Sequence, residues 1–154
     1  MGKLKRQPKK SLVVVVDDDE STRDTTKDLL ASAGFRTATF ASAEAFLNSP
    51  HSASAAALIA DMRMPGTDGL ALHLHLVTSG HPFPTILVTA YPEEAARKRA
   101  LEAGALCYLA KPIAAEDLLA YVGIAIRARR KGPMAIKEHS DVKPKERSDV
   151  KPTS

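Results

Sequence analysis

Leu12-Val13-Val14-Val15-Val16 is an unbroken apolar run, and the acids Asp17-Asp18-Asp19-Glu20 follow it at once. The run is far too short for a membrane span, and without polar alternation it does not suit a strand with one wet face. It reads as a strand covered on both sides, which requires helices above and below a parallel sheet. The chain supplies them. Residues 21–33 carry a helical pattern, with Ser21 or Thr22 as N-cap candidate and Gly34 as the stop. Phe35–Phe40 is a weaker strand, Ser42–Asn48 a short helix, and Ala56–Ala60 a third buried strand ending at Asp61. A loop with Pro65, Gly66 and Gly69 leads into 70–79, whose period is ambiguous. Leu70, Leu72, Leu74 and Leu76 alternate as in a strand, while Leu70, Leu74 and Val77 share a helical face. The crossover needed between parallel strands decides for helix. Thr85–Ala90 and Leu106–Ala110 read as strands, with helices over Pro92–Gly104 and Ala114–Arg130. Five strands alternating with five helices predict an α/β fold with a doubly wound parallel sheet, in which ligands sit at the carboxyl ends of the strands.

The net charge of +4 misleads, because it is unevenly spread. Residues 1–10 hold five Lys/Arg and no acid, and 127–154 hold nine against four acids, which leaves eight basic and fourteen acidic residues in 11–126. The acidic centre argues against specific nucleic-acid binding as the main activity, and neither end has aromatic residues to stack on bases. The 1–10 segment reads as a basic flexible arm and 11–131 as the domain. The segment 132–154, where SDVKP occurs at 140–144 and again at 148–152, reads as a disordered basic tail with too little apolar surface to pack. One cysteine, Cys107, in an apolar strand, together with the lack of a secretory signal or apolar span, predicts a soluble cytoplasmic protein.

Chemistry gathers at the predicted strand ends: Asp17 to Glu20 after the first, Asp61 after the third, Thr89 on the fourth, Lys111-Pro112 after the fifth. Clustered carboxylates repel one another unless a cation neutralises them, and their hard oxygens suit Mg²⁺. A carboxylate nucleophile, a divalent metal, a lysine and a hydroxyl together are the parts for phosphoryl transfer to aspartate. Read singly, each has an ordinary explanation: a solvated turn, a helix N-terminus, a Lys-Pro turn. Those explanations do not account for all four falling on one edge. His73-x-His75 does not read as a metal pair, because helical residues two apart face different ways. Cys107 reads as inert core, and Arg127 to Lys131 as a solvated helix end.

In the order VVVVDDDES, IADMRMPGTDG, ILVTAY and YLAKP, these segments resemble the receiver domain of two-component response regulators over residues 11–130, and GFRTATFASAEAFL is similar to receivers of the FixJ-type subgroup. The resemblance implies a flavodoxin-like (βα)5 fold with strand order 2-1-3-4-5. Asp61 would be the phosphoacceptor. Asp17, Asp18 and Asp61, with the backbone carbonyl of Arg63, would hold Mg²⁺ or Mn²⁺. Thr89 and Lys111 would bind phosphoryl oxygens, Pro112 would form a cis bond that aims the lysine, and Tyr108 would be the aromatic switch that follows Thr89. Arg63 and Tyr91 would flank the phosphate, while Asp19 and Glu20 would enter the first helix. The implied partners are a sensor histidine kinase or phosphotransfer protein and a downstream protein. The readout face would be built from the fourth helix, with Arg97, Lys98 and Arg99, the fifth strand and the fifth helix, and phosphorylation could drive homodimer formation. Such a chain acts as a phosphoacceptor rather than an enzyme, with at most self-phosphorylation and self-dephosphorylation. VVVVDDDES also fits a haloacid-dehalogenase-type phosphatase with Asp17 as nucleophile and Asp19 as acid/base. That reading lacks a suitable acidic pair after Lys111, since only Glu116-Asp117 follows, and leaves Asp61 unexplained. A further alternative is a receiver fragment of a transcription regulator without its DNA-binding domain.

Overall fold

The computed structural model describes residues 11–131. The predicted basic arm 1–10 and the SDVKP-bearing tail 132–154 lie outside the described residues. Within them run β1 (Leu12–Val16), α1 (Glu20–Ser32), β2 (Arg36–Phe40), α2 (Ala43–Leu47), a 3-10 turn (Pro50–Ala53), β3 (Ala57–Asp61), α3 (Gly69–Thr78), β4 (Thr85–Thr89), α4 (Glu94–Glu102), β5 (Cys107–Ala110) and α5 (Ala115–Lys131). The strands form one parallel sheet in the order β2-β1-β3-β4-β5, as expected for the doubly wound fold.

The unbroken apolar strands serve two cores at once. Val14, Val16, Leu58, Ala60 and Leu87 face Phe46, Leu72, Leu76 and Ala100 of α2, α3 and α4. Val13, Val15, Ile59, Ile86 and Val88 face Leu30, Leu118, Val122 and Ala125 of α1 and α5. Side chains alternate along a strand, so a sheet sandwiched by helices needs apolar residues at every position, and β1 is buried throughout. Burying each such side chain contributes about 1.5–3 kcal/mol. The ambiguous 70–79 segment is helical, with Leu72, His73 and Leu76 buried and Leu74 and Val77 exposed.

Every helix start is displaced by one or two residues from expectation, and two of the displacements have a clear cause. Helix α1 begins one residue early because its N-cap is Asp19, not Ser21 or Thr22; the Asp19 carboxylate accepts from the Thr22 amide at 2.9 Å and the Thr22 hydroxyl at 2.6 Å. Those bonds hold the Asp19 carboxyl below the usual carboxylate range. Helix α4 starts at Glu94 rather than Pro92, because Glu93 stays extended (φ −137°, ψ 135°) with its amide donating to the Tyr108 hydroxyl. Gly34 ends α1 as expected, at φ +94°, where only glycine sits without strain.

His73 and His75 point apart, as helical spacing demands: His75 is exposed, while His73 is buried and ties three elements together. Its Nδ1 lies 2.9 Å from Thr85 Oγ1 on β4, and its Nε2 lies 2.9 Å from the Ala103 carbonyl at the end of α4. Burial pushes its pKa down, against the opposing effect of the Ala103 carbonyl. Cys107 is buried in the core beneath α5. Among the described residues no helix is long and apolar enough to cross a membrane.

Candidate functional site

Parallel strands bring all their carboxyl ends to one edge, and β1, β3, β4 and β5 deliver Asp17, Asp61, Thr89 and Lys111 there. Lys111 links two of them: its Nζ donates to Asp17 Oδ2 at 2.9 Å and to Asp61 Oδ2 at 3.0 Å. The other oxygens are aimed by backbone amides. Asp17 Oδ1 accepts from the Asp19 amide and Asp61 Oδ1 from the Arg63 amide, both at 2.9 Å. Asp17 is 2% exposed and Asp61 7%, whereas Asp18 is open to solvent. The Lys111–Pro112 peptide is cis.

Burial raises the Asp17 pKa, helped by the nearby Asp61 charge and opposed by its bonds from Asp19 and Lys111. For Lys111, burial lowers the pKa, but the bonds to Asp17 and Asp61 outweigh it and hold the amine above its ordinary value. Oxygens of Asp17, Asp18 and Asp61 lie within 4.8 Å of one another. Three carboxylates against one ammonium leave an excess of negative charge in a small space. An all-oxygen donor set with that excess fits a hard divalent cation such as Mg²⁺ or Mn²⁺.

The site extends beyond the carboxylates. Thr89 is buried, and its Oγ1 accepts from the Tyr91 amide at 3.0 Å, which leaves the hydroxyl proton free to donate elsewhere. Tyr108 is half-buried against the core under α2, α3 and α4, with its hydroxyl at the Glu93 amide. The exposed Arg63 side chain leaves the carboxylates and lies over the Tyr91 ring, 4.9 Å from its centroid. Neither contact is readable from sequence spacing. Two further residues shape the loop after Asp61 unannounced. Glu44 on α2 accepts from the Thr67 hydroxyl at 2.7 Å, which lowers the Glu44 pKa. Gly69 opens α3 so close to β3 that a Cβ there would stand 2.4 Å from the Asp61 carbonyl oxygen. A cavity of about 490 Å³ opens beside Asp17 and Lys111, between α1 and α5, lined on one side by Thr22, Thr25 and Thr26.

Residues 13–123 match the response regulator receiver domain. The chain belongs to that family. Among curated relatives of this receiver, the transcriptional regulatory protein FixJ of Bradyrhizobium diazoefficiens is 36% identical over 118 residues, 77% of this chain and 58% of that protein. The DNA-binding transcriptional regulator NtrC of Escherichia coli K12 is 39% identical over 118 residues, 76% of this chain and 25% of that protein. The receiver thus spans little more than half of FixJ and a quarter of NtrC. Among solved structures, the response regulator StyR superposes with a TM-score of 0.72 at 30% identity, covering 92% of this chain and 68% of that one. FixJ-N superposes with a TM-score of 0.70 at 27% identity, covering 78% of this chain and 96% of that one. The phosphatase reading of Asp17-x-Asp19 also meets an obstacle in the geometry. Asp19 Oδ2 is committed to Thr22 as a helix cap, and Glu116 and Asp117 lie in the exposed first turn of α5.

Lys111 is the counter-ion inside the receiver's acidic cluster, so Lys111→Met should leave Asp17 and Asp61 facing each other unneutralised. Losing one partner of a mostly buried ion pair is expected to lower the unfolding free energy by about 3 kcal/mol. Denaturant unfolding in EDTA should show this loss, and saturating Mg²⁺ should restore part of it. Parent-like stability in EDTA would mean that the paired carboxylates need no protein cation.

Proposed function

We propose that this chain is the phosphoacceptor of a two-component phosphorelay, taking a phosphoryl group onto Asp61 from the phosphohistidine of a sensor histidine kinase or phosphotransfer protein. The observation that carries this reading is the setting of Asp61: one oxygen fixed by the Arg63 amide, the other paired with Lys111 at the edge of the sheet. An Asp61 oxygen attacks phosphorus, the P–N bond to the donor imidazole breaks, and its electron pair returns to the ring nitrogen. Lys111 then exchanges an Asp61 oxygen for a phosphoryl oxygen, and Thr89 donates its free hydroxyl proton to another. Mg²⁺ or Mn²⁺ held by Asp17, Asp18 and Asp61 with the Arg63 carbonyl would neutralise charge on the phosphoryl oxygens. The reaction is confined to the chain's own aspartate, so it is a signalling step and not turnover of a separate substrate.

Thr89 moves toward the phosphoryl group, and Tyr108 repacks into the space it leaves. This biases an existing two-state equilibrium. The face of α4, β5 and α5 is the readout, for a downstream protein or a second phosphorylated copy. The relatives are named as transcription regulators, so this output acts on transcription through a protein contact, with no specific nucleic-acid contact by the receiver. A cytoplasmic site of action agrees with the partners proposed.

Incubation with Mg²⁺ and acetyl phosphate, trapping of the acyl phosphate and mass-spectrometric mapping should place the label on Asp61. A label on Asp17 instead would overturn the assignment in favour of phosphatase-type chemistry.

A further inference from the structure

Two residues of the β4–α4 connection are each bonded twice, once toward Arg63 and once toward a residue of the proposed switch. Tyr91 stacks under the Arg63 guanidinium at 4.9 Å, and its backbone amide donates to the Thr89 hydroxyl at 3.0 Å. The Glu93 carboxylate lies 3.7 Å from Arg63 Nη2, and its backbone amide donates to the Tyr108 hydroxyl at 3.0 Å. Arg63 is in turn tied to Asp61, whose Oδ1 accepts its amide at 2.9 Å. One continuous path therefore runs from the carboxylate that reacts to the aromatic ring that reports. It crosses the mouth of the site through a single guanidinium.

We propose that Glu93 is a positioning residue that holds Arg63 away from the reacting edge before phosphorylation, and that Arg63 exchanges Glu93 for the anionic phosphoryl group. This inference rests on Asp61 being the phosphoacceptor. A guanidinium pairs with a carboxylate or a phosphoryl group through the same fork of N–H donors, so the two anions compete for it. The present pair is weak and replaceable: its atoms are 3.7 Å apart and its side chains are 59% and 60% exposed. A phosphoryl group on Asp61 carries more charge and sits two residues from the Arg63 Cα. When Arg63 leaves, the β4–α4 connection loses its tie across the mouth, and the Glu93 amide is released from holding the Tyr108 hydroxyl. The connection that would otherwise keep Thr89 and Tyr108 in place is thus opened by the group they respond to.

The test uses the full chain, Glu93→Gln, Arg63→Met and the double variant. Initial rates of Asp61 labelling are measured against acetyl phosphate concentration in Mg²⁺. With Glu93→Gln, Arg63 is free to meet the anionic donor, so the half-saturating concentration should fall roughly two- to fivefold at an unchanged maximal rate. That gain should disappear in the Arg63→Met background. A gain of equal size in both backgrounds would overturn the exchange and assign the effect to bulk charge; no gain in either would overturn it outright. A second readout needs no donor. The chain has three tyrosines, so their ring signals can be followed by NMR. Both single variants should shift the Tyr91 and Tyr108 rings while leaving Tyr121 in place, and unmoved Tyr108 signals would refute the path to the switch. Absence of labelling on the parent chain would count against the proposed function instead, with the ring signals still deciding the latch.

Discussion

Asp61→Asn is expected to abolish phosphoryl labelling by acetyl phosphate while the protein stays folded. An amide oxygen is a far weaker nucleophile than a carboxylate, and the other residues at the edge only bind or orient the transferred group. The fold should tolerate the change. Asparagine keeps an oxygen to accept the Arg63 amide, and removing the Asp61 charge also removes its repulsion of buried Asp17. The lost Lys111 pairing and the lost repulsion offset each other, so the stability change should stay within about 1 kcal/mol. Intact-mass labelling and thermal unfolding on the same sample check both halves. Labelling at the parent level would move the phosphoacceptor elsewhere, with Asp17 the first candidate.

Gly69→Ala should do the reverse, harming the fold and the reaction together. An added Cβ would stand 2.4 Å from the Asp61 carbonyl oxygen, 2.9 Å from its carbon and 3.1 Å from Leu87 Cδ2. Two of those neighbours are backbone, so either α3 or the end of β3 must shift. Overpacking of this kind is expected to lower stability by about 3 kcal/mol. A displacement of Asp61 approaching 1 Å should slow labelling by on the order of a hundredfold. Gly34→Ala is the control. It has nothing within 4 Å but a φ of +94°, so it should lose about 1 kcal/mol through the backbone alone and label normally. Parent-like labelling by Gly69→Ala would mean that α3 gives way and Asp61 does not move.

The pattern of legibility follows from what each feature depends on. The strands are local: five consecutive apolar residues need two covered faces whatever surrounds them, so Asp17, Asp61, Thr89 and Lys111 could be placed on one edge from the sequence. Strand order is not local and came only through the resemblance to receivers. The corrections involve competition between local preference and a distant partner. Pro92 is a favoured first helical residue, yet the helix starts later because Tyr108, fifteen residues on from Glu93, takes the Glu93 amide. Asp19 precedes Ser21 and Thr22, all of them capping types, and only the fold shows which is used. Gly69 looked like one more loop glycine. Its place directly after Asp68, the N-cap of α3, was the available signal, since a helix start gives glycine no reason of its own. His73 gave none, because a buried histidine and an exposed one share the same helix two residues apart.

The grip of His73 on Ala103 also constrains what kind of movement can reach the surface. Helix α4 is pinned at its carboxyl end, where the Ala103 carbonyl meets a buried ring that is itself anchored to Thr85 at the beginning of β4. Its amino end lacks any side-chain cap and is held through Glu93, by the amide on the Tyr108 hydroxyl and by an exposed carboxylate 3.7 Å from Arg63. An element fastened at one end and loose at the other swings; it does not slide. On the proposed switch, any travel of α4 would grow along its length from Ala103 toward Glu94, and a partner sensing it would gain most by touching the turn nearest Asp61.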